Sequence, residues 1–213
     1  MMNDDTEREF GEIFEEYDEV YFEGKGAKAY HSYEEARGIV RELFAIILKM
    51  FRGEIKTALD IGCAYGFSVE YLLQNGVDAY GCEPSAYALA RAKRYWWGER
   101  IFKSYLPKLT GVDRRFDLVT AMELLEHIPE KYAKDSIKRI FEVCDKYAVM
   151  VIAFTKHFGH INLKPREWWE ALFRELGFAE FERKDIEREF SNHPTSKRML
   201  WSGRFFVFDL RKR

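Results

Sequence analysis

The chain has 213 residues, 34 Lys and Arg against 36 Asp and Glu, and a formal net charge of −2. That length suits one domain, residues 1–213, with a substantial buried core, and the near balance of charge excludes the global basic field that drives non-specific nucleic-acid binding. Three scattered cysteines, Cys63, Cys82 and Cys144, show no C-x-x-C spacing, and no apolar run is long enough for a membrane span. Together with the lack of a leader-like segment, this leads us to expect reduced thiols and a cytoplasmic protein without a membrane partner.

The chain opens on an acidic helix with Phe10, Ile13, Phe14 and Tyr17 at helical spacing, followed by a glycine-interrupted stretch over residues 21–31. Residues 33–51 read as a second helix with Val40, Leu43, Phe44, Ile47 and Met50 on one side and Gly53 as its stop. Residues 1–52 are thus expected to form a helical, lid-like segment, whose aromatics Tyr17, Tyr21, Phe22, Tyr30 and Tyr33 either cover a bound ligand or pack the first two helices together. Strands follow near residues 56–61, 78–82, 100–104, 116–121 and 147–154, separated by helical patterns. Such alternation predicts an α/β fold, a mostly parallel sheet with helices on both faces. Pro165 opens a helix containing Trp168, Trp169, Leu172, Phe173 and Leu176, and Gly177 ends it. Residues 178–190 and 204–210 read as two further strands joined by a polar loop.

The most informative stretch is Leu59-Asp60-Ile61-Gly62-Cys63-Ala64-Tyr65-Gly66, where an apolar run ends in a carboxylate and then a glycine-punctuated turn. Glycine there permits unusual backbone angles and close approach to a ligand. A dinucleotide fingerprint needs glycine at three positions of G-x-G-x-x-G, and here they read Gly62, Ala64 and Phe67. Asp60 also places a negative charge where a pyrophosphate would lie, and like charges repel in a confined site. The second strand ends at Glu83, an acid placed to accept both hydroxyls of a ribose. A cation carrying an amino group, a sulfonium and a ribose fits both acids, which points to S-adenosylmethionine.

At these residues the chain resembles the class I S-adenosylmethionine-dependent methyltransferases, whose first motif has the form D/E-x-G-x-G-x-G. The resemblance continues through Gly81-Cys82-Glu83-Pro84-Ser85, Phe116-Asp117-Leu118-Val119 and Leu125-Glu126-His127-Ile128-Pro129, and spans roughly residues 55–180. It implies a Rossmann-like, mostly parallel sheet closed by a C-terminal antiparallel strand pair. It also implies methyl transfer from S-adenosylmethionine, with Asp60 favouring the methionine amino group, Gly62 and Gly66 admitting the backbone, and Glu83 fixing the ribose. Pro84, Tyr105 and Met122 are candidates for packing at the adenine or methyl side. The chain departs from the family at Ala64, which replaces the middle glycine, and at Lys103-Ser104-Tyr105, which lacks the acid many members carry there. The Ser104 hydroxyl or a backbone carbonyl is left to accept the adenine amino group.

Glu123-Leu124-Leu125-Glu126-His127 places two carboxylates and an imidazole on one face if the segment is helical. The resemblance implies three readings of this string: a metal site, as in small-RNA 2′-O-methyltransferases and quinone-ring O-methyltransferases, a histidine facing the acceptor without metal, or a histidine that only caps local structure. We expect no resident metal and, if the acceptor is a hydroxyl, His127 or His160 as its general base, the alternative for His160 being to cap the Pro165 helix. A small-molecule acceptor, methylated on oxygen or carbon, is expected because the chain lacks a basic stripe, an appended RNA-binding module and the N/D-P-P-Y string of many amino-group methyltransferases. The rivals are metal-assisted RNA 2′-O-methylation and a non-catalytic cofactor-binding module.

Overall fold

The computed structural model describes residues 4–25, 32–51, 53–199 and 201–212; Tyr30, expected among the covering aromatics, lies outside them. Helices α1 (Asp4–Glu15), α2 (Glu19–Phe22) and α3 (Arg37–Met50) precede a core of β1 (Thr57–Ile61), α4 (Phe67–Gln74), β2 (Asp78–Glu83), α5 (Ala86–Ala92) and β3 (Ile101–Lys103). β4 (Phe116–Met122), α6 (Glu130–Glu142), β5 (Cys144–Val151), α7 (Arg166–Glu175), α8 (Lys184–Asn192), α9 (Pro194–Arg198) and β6 (Phe205–Asp209) complete it. The six strands lie in the order β3-β2-β1-β4-β5-β6. The first five run parallel, and β6 is antiparallel to β5.

Alternating side chains along the strands feed two apolar layers, as the two-residue period of a strand requires. Leu59, Val119, Ala148 and Phe206 join Ile137, Phe141, Trp169 and Phe173 of α6 and α7 on one face. Ala58, Leu118, Val149 and Val207 join residues of α3, α4 and α8 on the other, including Phe44, Leu72 and Phe190. Burial on both faces explains why these strands read as apolar runs and why the parallel sheet was legible. The sequence of connections reverses direction between β1 and β4, and a crevice outside the carboxyl ends of the strands opens at such a switch point.

Residues 178–190 are not a strand. A 3-10 turn at Ala179–Phe181 leads into α8, whose Ile186 and Phe190 pack inward four residues apart. The sheet's antiparallel pair is β5 with β6, and the outer edge of β6 meets other groups. Val207 N–H donates to the Glu187 carboxylate at 3.1 Å, Arg183 N–H donates to the Val207 carbonyl at 2.7 Å, and Arg166 donates to the Phe205 carbonyl at 2.8 Å. Near the N-terminus, α3 does not begin at residue 33; Tyr33–Ala36 form a separate 3-10 turn capped by the Ser32 hydroxyl.

The N-terminal segment packs over the crevice. Phe10 and Phe14 meet the Tyr105 ring at centroid distances of 5.2 and 4.8 Å. Polar ties flank these contacts: Tyr65 and Tyr87 donate to the Glu23 carboxylate at 3.1 and 2.8 Å, and Lys131 pairs with Glu9 at 2.7 Å.

Candidate functional site

A cavity of about 640 Å³ lies between the N-terminal segment and the carboxyl ends of β1, β2 and β4. Its floor is the loop between β1 and α4, which turns through positive φ at Gly62 (+76°), Ala64 (+49°) and Gly66 (+77°). The first and last are glycine, as left-handed backbone favours. Ala64 is the strained position, and its amide is held by a 2.9 Å hydrogen bond to the Glu83 carboxylate. Gly62 and Cys63 N–H groups both donate to the Cys82 carbonyl, at 2.8 and 3.1 Å, which seats the loop on β2. Gly66 does not line the cavity; a Cβ there would strike the Ile101 side chain and come within 3.1 Å of the Trp97 indole nitrogen. It supplies the turn, while Gly62 and Ala64 face the ligand space.

Glu83, 6% exposed, accepts from Ser85 N–H at one oxygen and Ala64 N–H at the other, both at 2.9 Å. A carboxylate has about four acceptor positions, so one on each oxygen remains for a vicinal diol. Burial pushes its pKa up to about 7, with the two backbone hydrogen bonds opposing and the nearby Asp60 charge adding to the rise. Asp60 accepts from the hydroxyls of Ser68 and Thr120, the latter at 2.5 Å, so it also ties α4 and β4 to the loop. Burial raises it to about 6 against the pull of those hydroxyls. Ser104 lines the cavity with a buried hydroxyl that has no protein partner among the described residues. Such an orphan is costly unless a ligand or water satisfies it. Pro84, Tyr105 and Met122 also line the cavity.

The Glu123–His127 string is not one face of a helix. Glu123 has φ +48°, which throws the chain out of β4, and Leu125–His127 form a 3-10 turn. Glu123 faces Arg204 at 3.7 Å, and burial raises its pKa. Glu126, fully buried, accepts from Ala153 N–H at 2.9 Å with one oxygen, and its other oxygen has no partner among the described residues. Burial, then the charge of Glu123, pushes it up to about 8. The group that gathers is Glu126, His127 and His160, with ligating atoms within 4.8 Å of one another. His127 Nδ1 lies 2.7 Å from the Tyr17 hydroxyl and 2.9 Å from the Gly159 carbonyl oxygen. His160 Nδ1 lies 2.7 Å from the Thr155 carbonyl oxygen, and its ring stands nearly perpendicular to that of His127 at 4.8 Å. Burial pushes His127 down to about 3 and lowers His160 as well. Both histidines line the cavity, with His157 beside them.

Several contributors carry no motif of their own. Ser68 and Thr120 are recognisable only once Asp60 has been placed. Arg204, Met199 and Trp201 reach the cavity from the far end of the chain, and Ile39, Val40 and Leu43 of α3 give it an apolar wall.

The chain belongs to the methyltransferase-domain family, whose model matches residues 32–193; the loop, sheet order and acid-lined crevice are those of the class I S-adenosylmethionine-dependent fold. Ubiquinone biosynthesis O-methyltransferase of Coxiella burnetii is 34% identical over 79 residues, covering 35% of this chain and 34% of that protein. The corresponding enzyme of Serratia proteamaculans is 30% identical over 80 residues. The chain thus spans about a third of the length of the curated relatives it matches. Among solved structures, magnesium protoporphyrin IX methyltransferase from Synechocystis PCC 6803 with bound S-adenosylmethionine aligns with a TM-score of 0.65 at 16% identity, covering 98% of each chain. The plantazolicin methyltransferase in complex with S-adenosylhomocysteine aligns with a TM-score of 0.58 at 10% identity, covering 97% of this chain and 91% of that one.

Proposed function

We propose that this protein is an S-adenosylmethionine-dependent methyltransferase acting on oxygen or carbon of a small, largely apolar acceptor. The observation that carries the reading is Glu83: a buried carboxylate, pinned by the loop's own Ala64 amide, with one acceptor position left on each oxygen beside an orphaned Ser104 hydroxyl. When bound, S-adenosylmethionine supplies a methyl group already activated by its sulfonium, so placement does most of the work. Glu83 holds the ribose, Ser104 receives the adenine amino group, and Asp60 lends negative charge beside the methionine end. The cofactors bound in the structural neighbours support the same cofactor, and the names of the curated relatives support transfer to oxygen.

The described residues of the N-terminal segment, 4–25 and 32–51, act as a lid. Phe10, Phe14, Tyr21 and Phe22 line the cavity from the N-terminal segment, where they exclude water. At the acceptor end His127 takes the proton of a hydroxyl at Nε2, because its Nδ1 is engaged by Gly159 and Tyr17. The wall of Ile39, Val40, Leu43, Met122, Met199 and Trp201 fits an apolar acceptor body better than a nucleic acid strand. No helix among the described residues is long and apolar enough to cross a membrane.

One observation favours a second reading. The unpartnered oxygen of Glu126, with His127 and His160 beside it, is a donor set for a divalent cation assisting the acceptor hydroxyl. We favour the metal-free reading because Glu123, the first acid of the string, faces Arg204 and is not among the gathered donors. The test of both is to incubate the protein with isotopically labelled S-adenosylmethionine and fractionated extract. Label in small molecules is the expected result, label in RNA would move the acceptor to the rival class, and no product from any fraction would leave only a binding module.

A further inference from the structure

Tyr17 belongs to the turn between α1 and α2, about 110 residues from the imidazole its hydroxyl meets. That imidazole nitrogen, His127 Nδ1, has a carbonyl oxygen on its other side, from Gly159. A carbonyl only accepts, so the 2.9 Å contact is a hydrogen bond only with the hydrogen on Nδ1; the Tyr17 hydroxyl oxygen then accepts from the same N–H, and Nε2 keeps the lone pair. The Tyr17 ring braces the same imidazole edge-on, with centroids 5.5 Å apart and planes at 83°. Gly159 makes this closure possible. It has φ +74°, and a Cβ there would collide with the Tyr17 hydroxyl and come within 3.0 Å of His127 Nδ1.

The backbone of Tyr17 is engaged in the opposite direction. The Ser85 hydroxyl donates to the Tyr17 carbonyl at 2.7 Å, and Ser85 N–H donates to the Glu83 carboxylate at 2.9 Å. Ser85 is also the N-cap of α5, accepting from Ala88 N–H at 3.1 Å, so it is fixed independently of the N-terminal segment. Glu83, Ser85, Tyr17 and His127 therefore form one line of contacts from the ribose end of the cavity to the acceptor end.

We propose that Tyr17 is a positioning residue that couples occupation of the Glu83 end of the cavity to the orientation of His127 at the acceptor end. A ligand on Glu83 and under α1 seats the N-terminal segment, and the seated segment clamps the imidazole against Gly159 with Nε2 free. The catalytic meaning of this coupling rests on the methyl-transfer reading; the coupling itself belongs to the chain.

The test compares the parent protein with Tyr17→Phe, which keeps the ring and removes the hydroxyl. Histidine ring nitrogens are labelled and their spectra recorded with and without S-adenosylhomocysteine, beside calorimetry and, once an acceptor is known, steady-state kinetics. We expect S-adenosylhomocysteine to move the His127 ring-nitrogen signals in the parent and to leave them nearly unmoved in Tyr17→Phe. Its Kd should stay within about threefold. Turnover should fall about tenfold to a hundredfold with the cofactor KM little changed, the pattern of a misplaced group. Ser85→Ala should uncouple His127 in the same way, and Ser85→Thr, which restores the hydroxyl, should recover the response. A Tyr17→Phe protein whose His127 signals answer the ligand as the parent's do would overturn the proposal. If the coupling is seen but no acceptor is ever methylated, the coupling stands and the functional reading fails.

Discussion

Glu83→Gln separates the two tasks assigned to this side chain. In the parent, Ala64 N–H and Ser85 N–H point at different carboxylate oxygens, each at 2.9 Å. A carboxamide offers one acceptor oxygen and a donor NH2, so one of the two backbone donors is left facing another donor. An orphaned buried donor costs about 1–3 kcal/mol, which for a domain of this size lowers Tm by about 2–12 °C. The cofactor's diol also loses one charged acceptor. At about 1.5–3 kcal/mol for a hydrogen bond to a charged group, Kd for S-adenosylhomocysteine should rise about 10- to 150-fold. Thermal unfolding of the free variant reads the first effect and calorimetric titration the second. Binding within about twofold of the parent would remove Glu83 from the ribose site, given that 1.4 kcal/mol is a tenfold change. An unchanged Tm would show that the loop does not depend on it. Glu83→Ala orphans both backbone donors and confounds the two losses, so Gln is the sharper probe.

The pH dependence follows from the same acids: burial raises Asp60 to about 6 and Glu83 to about 7, above the ordinary values of 3.8 and 4.5 for solvent-exposed carboxyl groups. The unfolded chain releases these protons first, so Asp60 and Glu83 contribute a fall in stability of the free protein between about pH 4 and 7, and Glu126, raised to about 8, extends that fall to about pH 8. Affinity for S-adenosylhomocysteine should move the other way, rising through pH 6 to 7 as the carboxylates form, and titrations at both ends of that window giving equal Kd would contradict the assignment. Gly66→Val should abolish cofactor binding, because a left-handed non-glycine residue costs about 1–3 kcal/mol and its side chain must displace Ile101. Near-normal binding by a variant shown by circular dichroism to be folded would refute that account. His127→Ala should lower turnover about 10²- to 10⁴-fold while sparing cofactor affinity. Turnover in the parent should survive EDTA; loss restored by Mn²⁺ would establish the cation at Glu126, His127 and His160 instead.

The order in which the fold became legible follows the range of the interactions that decide it. The β1 loop announces itself locally, since Asp60, Gly62 and Gly66 carry a charge and backbone angles that few other sequences need. Residues 178–190 misled because Phe178, Phe181 and Phe190 look strand-like, whereas the choice of helix is made by distant partners: Ile186 and Phe190 join the layer containing Phe205, and Glu187 meets Arg166 at 2.5 Å. The E-x-x-E-H string was visible, but its geometry was not, because the positive φ at Glu123 is set by the end of β4 and by Val151, whose carbonyl accepts Glu123 N–H at 2.8 Å. His160 could be placed near the ligand edge from its position after β5. Tyr17 could be seen only as one aromatic among several, since a hydroxyl gives no periodicity to read.

The outer edge of β6 has a meaning for the chain's behaviour in crowded solution. Phe205-Phe206-Val207-Phe208 is an apolar, β-prone run of the kind that recruits a second chain when its edge is open. Its outward amide and carbonyls are already taken, by a carboxylate, a turn amide and a guanidinium from α7 and the start of α8. Arg166 and Glu187 thus work as gatekeepers against strand addition, and because charged side chains rather than another strand close the edge, the sheet ends without exposing a new template in its turn.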